Sequence, residues 1–352
     1  MNYIGSKYTL LPFIEQVFRQ ISDGSEKTAC DIFAGTGAVG RLFKKLGLRV
    51  LANDFQYYAY ALNKAYIEIN EQPPFAQLRR EYKNEFARLG DKEDGSIESA
   101  LAFVNSLPGA PGFIAKNYGP AGERLYYTEE NAEKADAIRQ AIEDWLARGV
   151  ITEQEYFYLL CSLLEAIDQV ANTASVYGAF LKKFKQSARK PLTLKPLTLY
   201  NHVAGCRAFR RDANELIEEI ECDVLYLDPP YNHRQYGANY HVLETIAAYD
   251  DPELTGVTGM RDYPRSRYCK PRDAREALER LIAGARARHI LMSYNDEGVL
   301  SFEEIRRILR LRGEPKTFSR TYNRFKADSN RQYKRDATVE YLHYVRVVKE
   351  SK

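Results

Sequence analysis

Apolar positions recur along this chain with two different periods, and the alternation between them predicts its layout. Thr28 to Phe33 reads as a short strand, and Ala34-Gly35-Thr36-Gly37 as a turn. Val39, Leu42, Phe43 and Leu46 then fall at helical spacing, with Gly47 as a stop. Val50 to Asn53 is a second strand ending at Asp54, and Tyr57 to Ile69 a second helix. This β-α-β-α opening is the start of a parallel sheet.

The rhythm breaks near residue 72, at Pro73-Pro74, and a Gly/Pro-rich stretch from Leu107 to Gly122 reads as loop. Residues 129 to 148 form an amphipathic helix with Ile138, Ile142 and Trp145 on one face. Thr152-x-x-Glu155 is a capping-box signature before a helix carrying Tyr158, Leu159, Leu163 and Ile167. The α/β rhythm returns with a strand over Cys206 to Arg210 and a helix from Asp212 to Ile220. Strands follow over Asp223 to Leu227 and His289 to Tyr294. Ser301-x-x-Glu304 caps a helix to about Leu311, and Thr338 to Val348 forms a last strand. The expected architecture is α/β: residues 1–71 and 205–352 make one domain, and residues 72–204 a mainly helical insertion.

Composition narrows the class. The 352 residues are 45% hydrophobic and 28% charged, values of a soluble globular protein. No apolar run approaches the ~18 residues of a membrane span, and Met1 to Lys7 has no apolar core of a signal peptide. A cytoplasmic protein is expected. Five cysteines without a C-x-x-C pair argue against a disulfide framework or a zinc site, and His233 and His241 are too far apart for a one-turn metal pair. No metal is expected.

The net charge is only +3, but it is segregated. Residues 169–211 hold nine Lys/Arg and no acid, and residues 306–335 hold eleven Lys/Arg against Glu314 and Asp328. Either stretch alone is as consistent with a solvated face. Both together, with 26 Tyr and 16 Phe available for stacking, point to nucleic acid.

Two motifs carry chemistry. Gly35-x-Gly37-x-x-Gly40 lets backbone approach a ligand at a helix N-terminus, and Asp54 can accept hydrogen bonds from both hydroxyls of a ribose. Alone, this pair fits a nicotinamide enzyme nearly as well as a methyltransferase. Asp228-Pro229-Pro230-Tyr231 ends a buried-looking strand, where ligands bind in open α/β sheets. Its prolines fix φ and remove N–H donors, leaving a stiff loop of acceptors. An adenine amine is a poor nucleophile because its lone pair is delocalised. Donating its N–H groups to the Asp228 carboxylate and the Pro229 carbonyl would draw it toward tetrahedral geometry. Tyr231 offers a face to an extruded base.

The motifs together resemble the Dam-like class of adenine-specific (N6) DNA methyltransferases. Tyr3-Ile4-Gly5-Ser6-Lys7 is similar to its N-terminal motif, Asp31 to Gly37 to its glycine loop, Asp212-Ala213 to a short adenine-holding motif, and Asp228 to Tyr231 to its catalytic motif. Ala213 departs from the Phe often found there. The resemblance implies a Rossmann-like sheet that binds S-adenosyl-L-methionine, with Tyr3, Lys7, Asp31, Phe33, Gly35, Gly37, Asp54, Asp212, Ala213 and Asp228 at the cofactor. It implies a target-recognition domain in the insertion, a duplex DNA substrate with a flipped adenine, and a restriction–modification or related setting with a cognate endonuclease as a candidate partner. Asn172, Tyr177, Lys182, Lys183 and Lys185 in the insertion, and Arg234, Tyr236, Arg265, Arg267 and Arg324 beyond the catalytic motif, are candidate DNA contacts. Four alternatives stay open: a cytosine-N4 DNA methyltransferase, an RNA base-amine methyltransferase, a silent nucleic-acid-binding module and a nicotinamide dehydrogenase.

Overall fold

The computed structural model describes residues 7–90, 96–200, 203–232, 235–323 and 337–348. Among the described residues the strands are β1 (Thr28–Asp31), β2 (Arg49–Asn53), β3 (Arg207–Phe209), β4 (Glu221–Leu227), β5 (Leu254–Thr255), β6 (Met260–Arg261), β7 (Arg286–Asn295), β8 (Lys316–Asn323) and β9 (Ala337–Arg346). Seven form one sheet in the order β3-β2-β1-β4-β7-β9-β8. The first five are parallel, and β9 runs antiparallel between β7 and β8. β5 and β6 form a separate antiparallel hairpin.

The described residues fall into two compact units. The sheet lies in one, within Gly5–Asn63, His202–Gly237 and Pro264–Lys352; the other lies within Lys64–Asn201 and Ala238–Tyr263. In the sheet unit, Val224, Leu225 and Leu227 of β4 and Ile290, Leu291 and Met292 of β7 are buried. Both faces of these parallel strands are covered, which explains their unbroken apolar runs. Leu278, Leu281 and Ile282 of the helix Pro271–Gly284, with Ile305 and Ile308 of the helix Phe302–Leu309, join that core.

In the second unit, the helices Glu129–Ala147 and Glu153–Gln169 pack together. Both expected capping boxes form: Thr152 and Glu155 exchange bonds of 3.2 and 2.8 Å, and Ser301 and Glu304 bonds of 3.3 and 2.9 Å.

Three expectations change. The helix expected from Tyr57 to Ile69 is α-helical only over Tyr57–Asn63 and widens to a π-turn over Lys64–Glu68. The widening starts where the Asn63 amide takes the Ala59 carbonyl at 2.8 Å. The helix expected from Asp212 to Ile220 is α-helical only over Ala213–Leu216, with turns beyond. The Gly/Pro-rich stretch from 107 to 122 contains a short helix, Phe113–Tyr118. Asp136, distant in sequence, accepts from the N–H groups of Ile114 at 2.9 Å and Ala115 at 2.7 Å. A carboxylate there satisfies donors at the start of that helix.

Candidate active site

β1 delivers Asp31 into the glycine turn, where one carboxylate oxygen accepts from the Gly40 N–H at 3.0 Å. Its other oxygen is buried without a hydrogen-bond partner among the described residues. Burial, then the nearby Asp228 charge, pushes the Asp31 pKa up to about 8 against the opposing Gly40 bond. Gly37 adopts φ +76°, and a Cβ there would lie 2.7 Å from the Asn63 Oδ1. The Asn63 amide also donates to the Gly35 carbonyl at 2.9 Å. Asp54, at the end of β2, braces the turn by accepting from the N–H groups of Gly35 and Gln56, each at 2.9 Å.

Asp212 caps the helix Ala213–Leu216, accepting from the Asn214 N–H at 2.8 Å. Asn214 in turn accepts from the Tyr268 hydroxyl at 2.9 Å, and Tyr268 meets the half-buried Phe33 edge-on, with ring centroids 5.0 Å apart. The glycine turn and the Asp212-Ala213 motif are thus tied through Tyr268.

Asp228 follows β4. Its side chain keeps 17% of its exposure, an opening from solvent. Lys7 lies 2.9 Å from it and 3.0 Å from Glu340 of β9, and both Lys7 and Glu340 are almost fully buried. The Lys7 ammonium also sits 5.3 Å from the centroid of the Tyr231 ring. Burial pushes the Asp228 pKa up, Lys7 pulls it back, and Glu340 pushes it up again, to about 6. Burial opposes the Lys7 charge, yet Asp228, Tyr231 and Glu340 together hold its pKa well above the usual lysine value. Tyr231 is fixed from behind. Its carbonyl accepts from the Val299 N–H at 2.9 Å, and its ring meets Tyr294 at 5.7 Å.

Asp31, Asp54, Asp212, Asp228 and Tyr231 all lie at the carboxyl ends of, or just beyond, strands β1 to β4 of the sheet unit. Lys7, expected at the cofactor, stands beside Asp228. Tyr3 lies outside the described residues. Glu340 and Asn63 escaped the sequence reading. Glu340 left one signal, the single acid in a strand rich in β-branched and aromatic residues.

The candidate DNA contacts divide. Lys182 and Lys183 are exposed, as are Arg265 and Arg267, the latter 3.9 Å from Glu276. Tyr236 is half-buried. Arg234 and Arg324 lie outside the described residues. Lys185 is half-buried and donates to the Thr173 carbonyl at 2.7 Å. Asn172 and Tyr177 face no solvent at all. The Asn172 amide donates to the Leu125 and Leu181 carbonyls at 2.8 and 3.0 Å and accepts from the Lys185 N–H at 3.0 Å, which uses most of its capacity within the fold. The Tyr177 hydroxyl donates to Asp168 at 3.1 Å. In this conformation these two residues brace the chain from beneath rather than present groups to a base edge. Replacing Lys182 and Lys183 together by alanine should reduce the slope of log K against log salt by about 2, since each phosphate contact contributes ~0.9. Fluorescence-anisotropy titration of duplex DNA between low and moderate salt reads it, and an unchanged slope places both lysines off the DNA.

Known proteins resemble this chain along nearly its full length. A family model described as D12 class N6 adenine-specific DNA methyltransferase matches residues 3–308. The Type II methyltransferase M.NlaIII of Neisseria lactamica is 44% identical over 97% of this chain and 98% of its own. The Type II methyltransferase M.CviAII of Paramecium bursaria Chlorella virus 1 is 33% identical over 93% of each chain. The Type II methyltransferase M.FokI of Planomicrobium okeanokoites is 39% identical over 98% of this chain, which spans 52% of that longer protein.

Proposed function

Because the chain belongs to the D12 class of N6 adenine-specific DNA methyltransferases, we propose that its methyl donor is S-adenosyl-L-methionine and that the turn from Asp31 to Gly37 with Asp54, Asp212 and Ala213 holds it. Methylation of the adenine amine in DNA, in the setting of Type II modification, is the activity of the class. The donor fits the residues present. Its ammonium would meet the buried Asp31 oxygen that has no hydrogen-bond partner, its ribose hydroxyls Asp54, and its adenine the surface built by Asp212, Ala213 and Phe33. When bound it supplies a methyl group activated on a sulfonium.

Asp228 and Pro229 supply acceptors for the two N–H groups of the target amine, which frees the nitrogen lone pair for in-line attack. Tyr231 stacks the flipped base, and Asp228 is the nearest acceptor for the proton the amine sheds. Fixed acceptors in a largely buried site cost little reorganisation at the moment of reaction. The observation that carries this reading is the meeting of Lys7, Asp228 and Tyr231 at the end of β4, in the same unit as the glycine turn. We place target recognition in the helical unit and in the exposed Lys182 and Lys183, Arg265 and Arg267, with duplex DNA as substrate and a cognate endonuclease as partner. Among the described residues no helix is long and apolar enough to cross a membrane.

Mass-spectrometric nucleoside analysis of DNA from cells making this protein tests the reading. N6-methyladenine that is absent with an Asp228→Ala control upholds it. N4-methylcytosine would keep the mechanism and change the base. No methylated base would refute the activity.

Asp31 adds a prediction. Its pKa near 8 without ligand means that the carboxyl is largely protonated at neutral pH. A cation bound against it favours the carboxylate and releases a proton. Cofactor affinity should therefore rise with pH toward about 8 and then level off. Calorimetry at pH 7 in buffers of different ionisation enthalpy should show proton release by the wild type and none by Asp31→Asn. Equal heats in every buffer would remove Asp31 from the ammonium site.

A further inference from the structure

Glu340 is a buried carboxylate whose charge meets the Lys7 ammonium. It is 1% exposed, and neither oxygen has a hydrogen-bond partner among the described residues; its neighbour is the Lys7 ammonium at 3.0 Å. Removing one partner of a buried ion pair leaves the other charge uncompensated. Lys7 is nearly equidistant from two anions, Asp228 at 2.9 Å and Glu340 at 3.0 Å. Its ammonium lies against the Asp228 oxygen and 5.3 Å from the centre of the Tyr231 ring. In the site as read above, those are the places where a base amine would donate and a base would stack. An arriving amine that takes the Asp228 Oδ1 displaces the ammonium from that oxygen, and a lysine 4% exposed has little solvent to retreat into.

We propose that Glu340 is a positioning residue for methyl transfer: it takes over the Lys7 ammonium when the target amine claims the Asp228 carboxylate. Its place is set by the sheet, because Glu340 pairs in register with Asn295 as β9 lies antiparallel on β7. The second anion is therefore held by strand geometry while the lysine side chain shifts between two acceptors. This inference rests on the catalytic reading of Asp228. Among the described residues, the charged and titratable groups around that carboxylate include Lys7 from the turn Lys7–Leu10, Glu340 from β9, Asp31 from β1, Tyr226 from β4 and Tyr231 from its own loop.

The test is single-turnover methylation of unmethylated plasmid DNA by the full chain saturated with S-adenosyl-L-methionine, followed across pH. Glu340→Gln leaves Lys7 bound to Asp228 alone, so the plateau rate should fall by about tenfold while cofactor affinity holds. The acid limb should move to lower pH, because the charge that pushes the Asp228 carboxyl up has gone. Lys7→Met should move that limb to higher pH, and Glu340→Asp should lie between wild type and Glu340→Gln. A loosened fold would not shift the limb in opposite directions for the two partners. If Glu340→Gln does not fold, Glu340→Asp decides: a shifted limb upholds the proposal and an unmoved one overturns it. Wild-type rate and limb in Glu340→Gln, with Asp228→Ala inactive, would overturn the role of Glu340 alone. An active Asp228→Ala would overturn the site reading beneath it.

Discussion

Asp228→Ala should slow methyl transfer by about a thousandfold, the upper range for removing one preorganised polar group from a transition state. The size follows from where the group sits. Its carboxylate is mostly buried, so no bound water replaces it well, and Lys7 beside it would be left facing an apolar methyl. Cofactor affinity should fall much less, because the glycine turn and Asp54 are braced by their own backbone bonds. Rapid-quench transfer of a labelled methyl group, set against an equilibrium cofactor titration, separates the two. A variant that loses both equally has lost its fold, and one that keeps its rate shows that another group holds the amine. Asp228→Asn is a finer probe. It retains one acceptor, lacks the charge, and should lose the acid limb expected of the wild type near pH 6, where the Asp228 carboxyl protonates.

Asp54→Ala should weaken cofactor binding by roughly 10- to 100-fold, the equivalent of about 1.5–3 kcal/mol for hydrogen bonds to a charged group. The residue has a structural share in that loss, since it also holds the N–H groups of Gly35 and Gln56. A ligand lacking both ribose hydroxyls separates the shares. It should bind wild type and variant alike if Asp54 works mainly through the ribose. If the variant still binds it far more weakly, Asp54 serves chiefly to hold the turn.

What was legible in the sequence was local. Glycines with positive φ and capping boxes write their geometry within a few residues: Gly35 and Gly37 take positive φ, and the Thr152 and Ser301 caps close. Misread features depend on distant partners. Asp136, more than twenty residues on in the sequence, caps a helix inside a glycine-rich stretch. Asn172 and Tyr177 stand near exposed lysines in sequence yet point their polar groups into the protein, and only a folded chain reveals that. β8 was hidden inside a basic run. Lys316 and Arg320 on an edge strand suit that position, because charge there discourages pairing with another molecule. Asn63 and Glu340 act across elements, and no spacing rule links them to the glycines or to Lys7.

The placement of β9 between β7 and β8 has a consequence for biosynthesis. A ribosome releases β8 before β9, so β8 emerges with no strand to join, and β7 waits with an open edge. Open edges invite pairing with other chains. The carboxylate that balances Lys7 arrives with the same late strand. A nascent polypeptide therefore carries Lys7 and its Asp-Pro-Pro-Tyr loop long before the second anion for that lysine arrives, and full competence to methylate should follow only after residues 337–346 clear the exit tunnel.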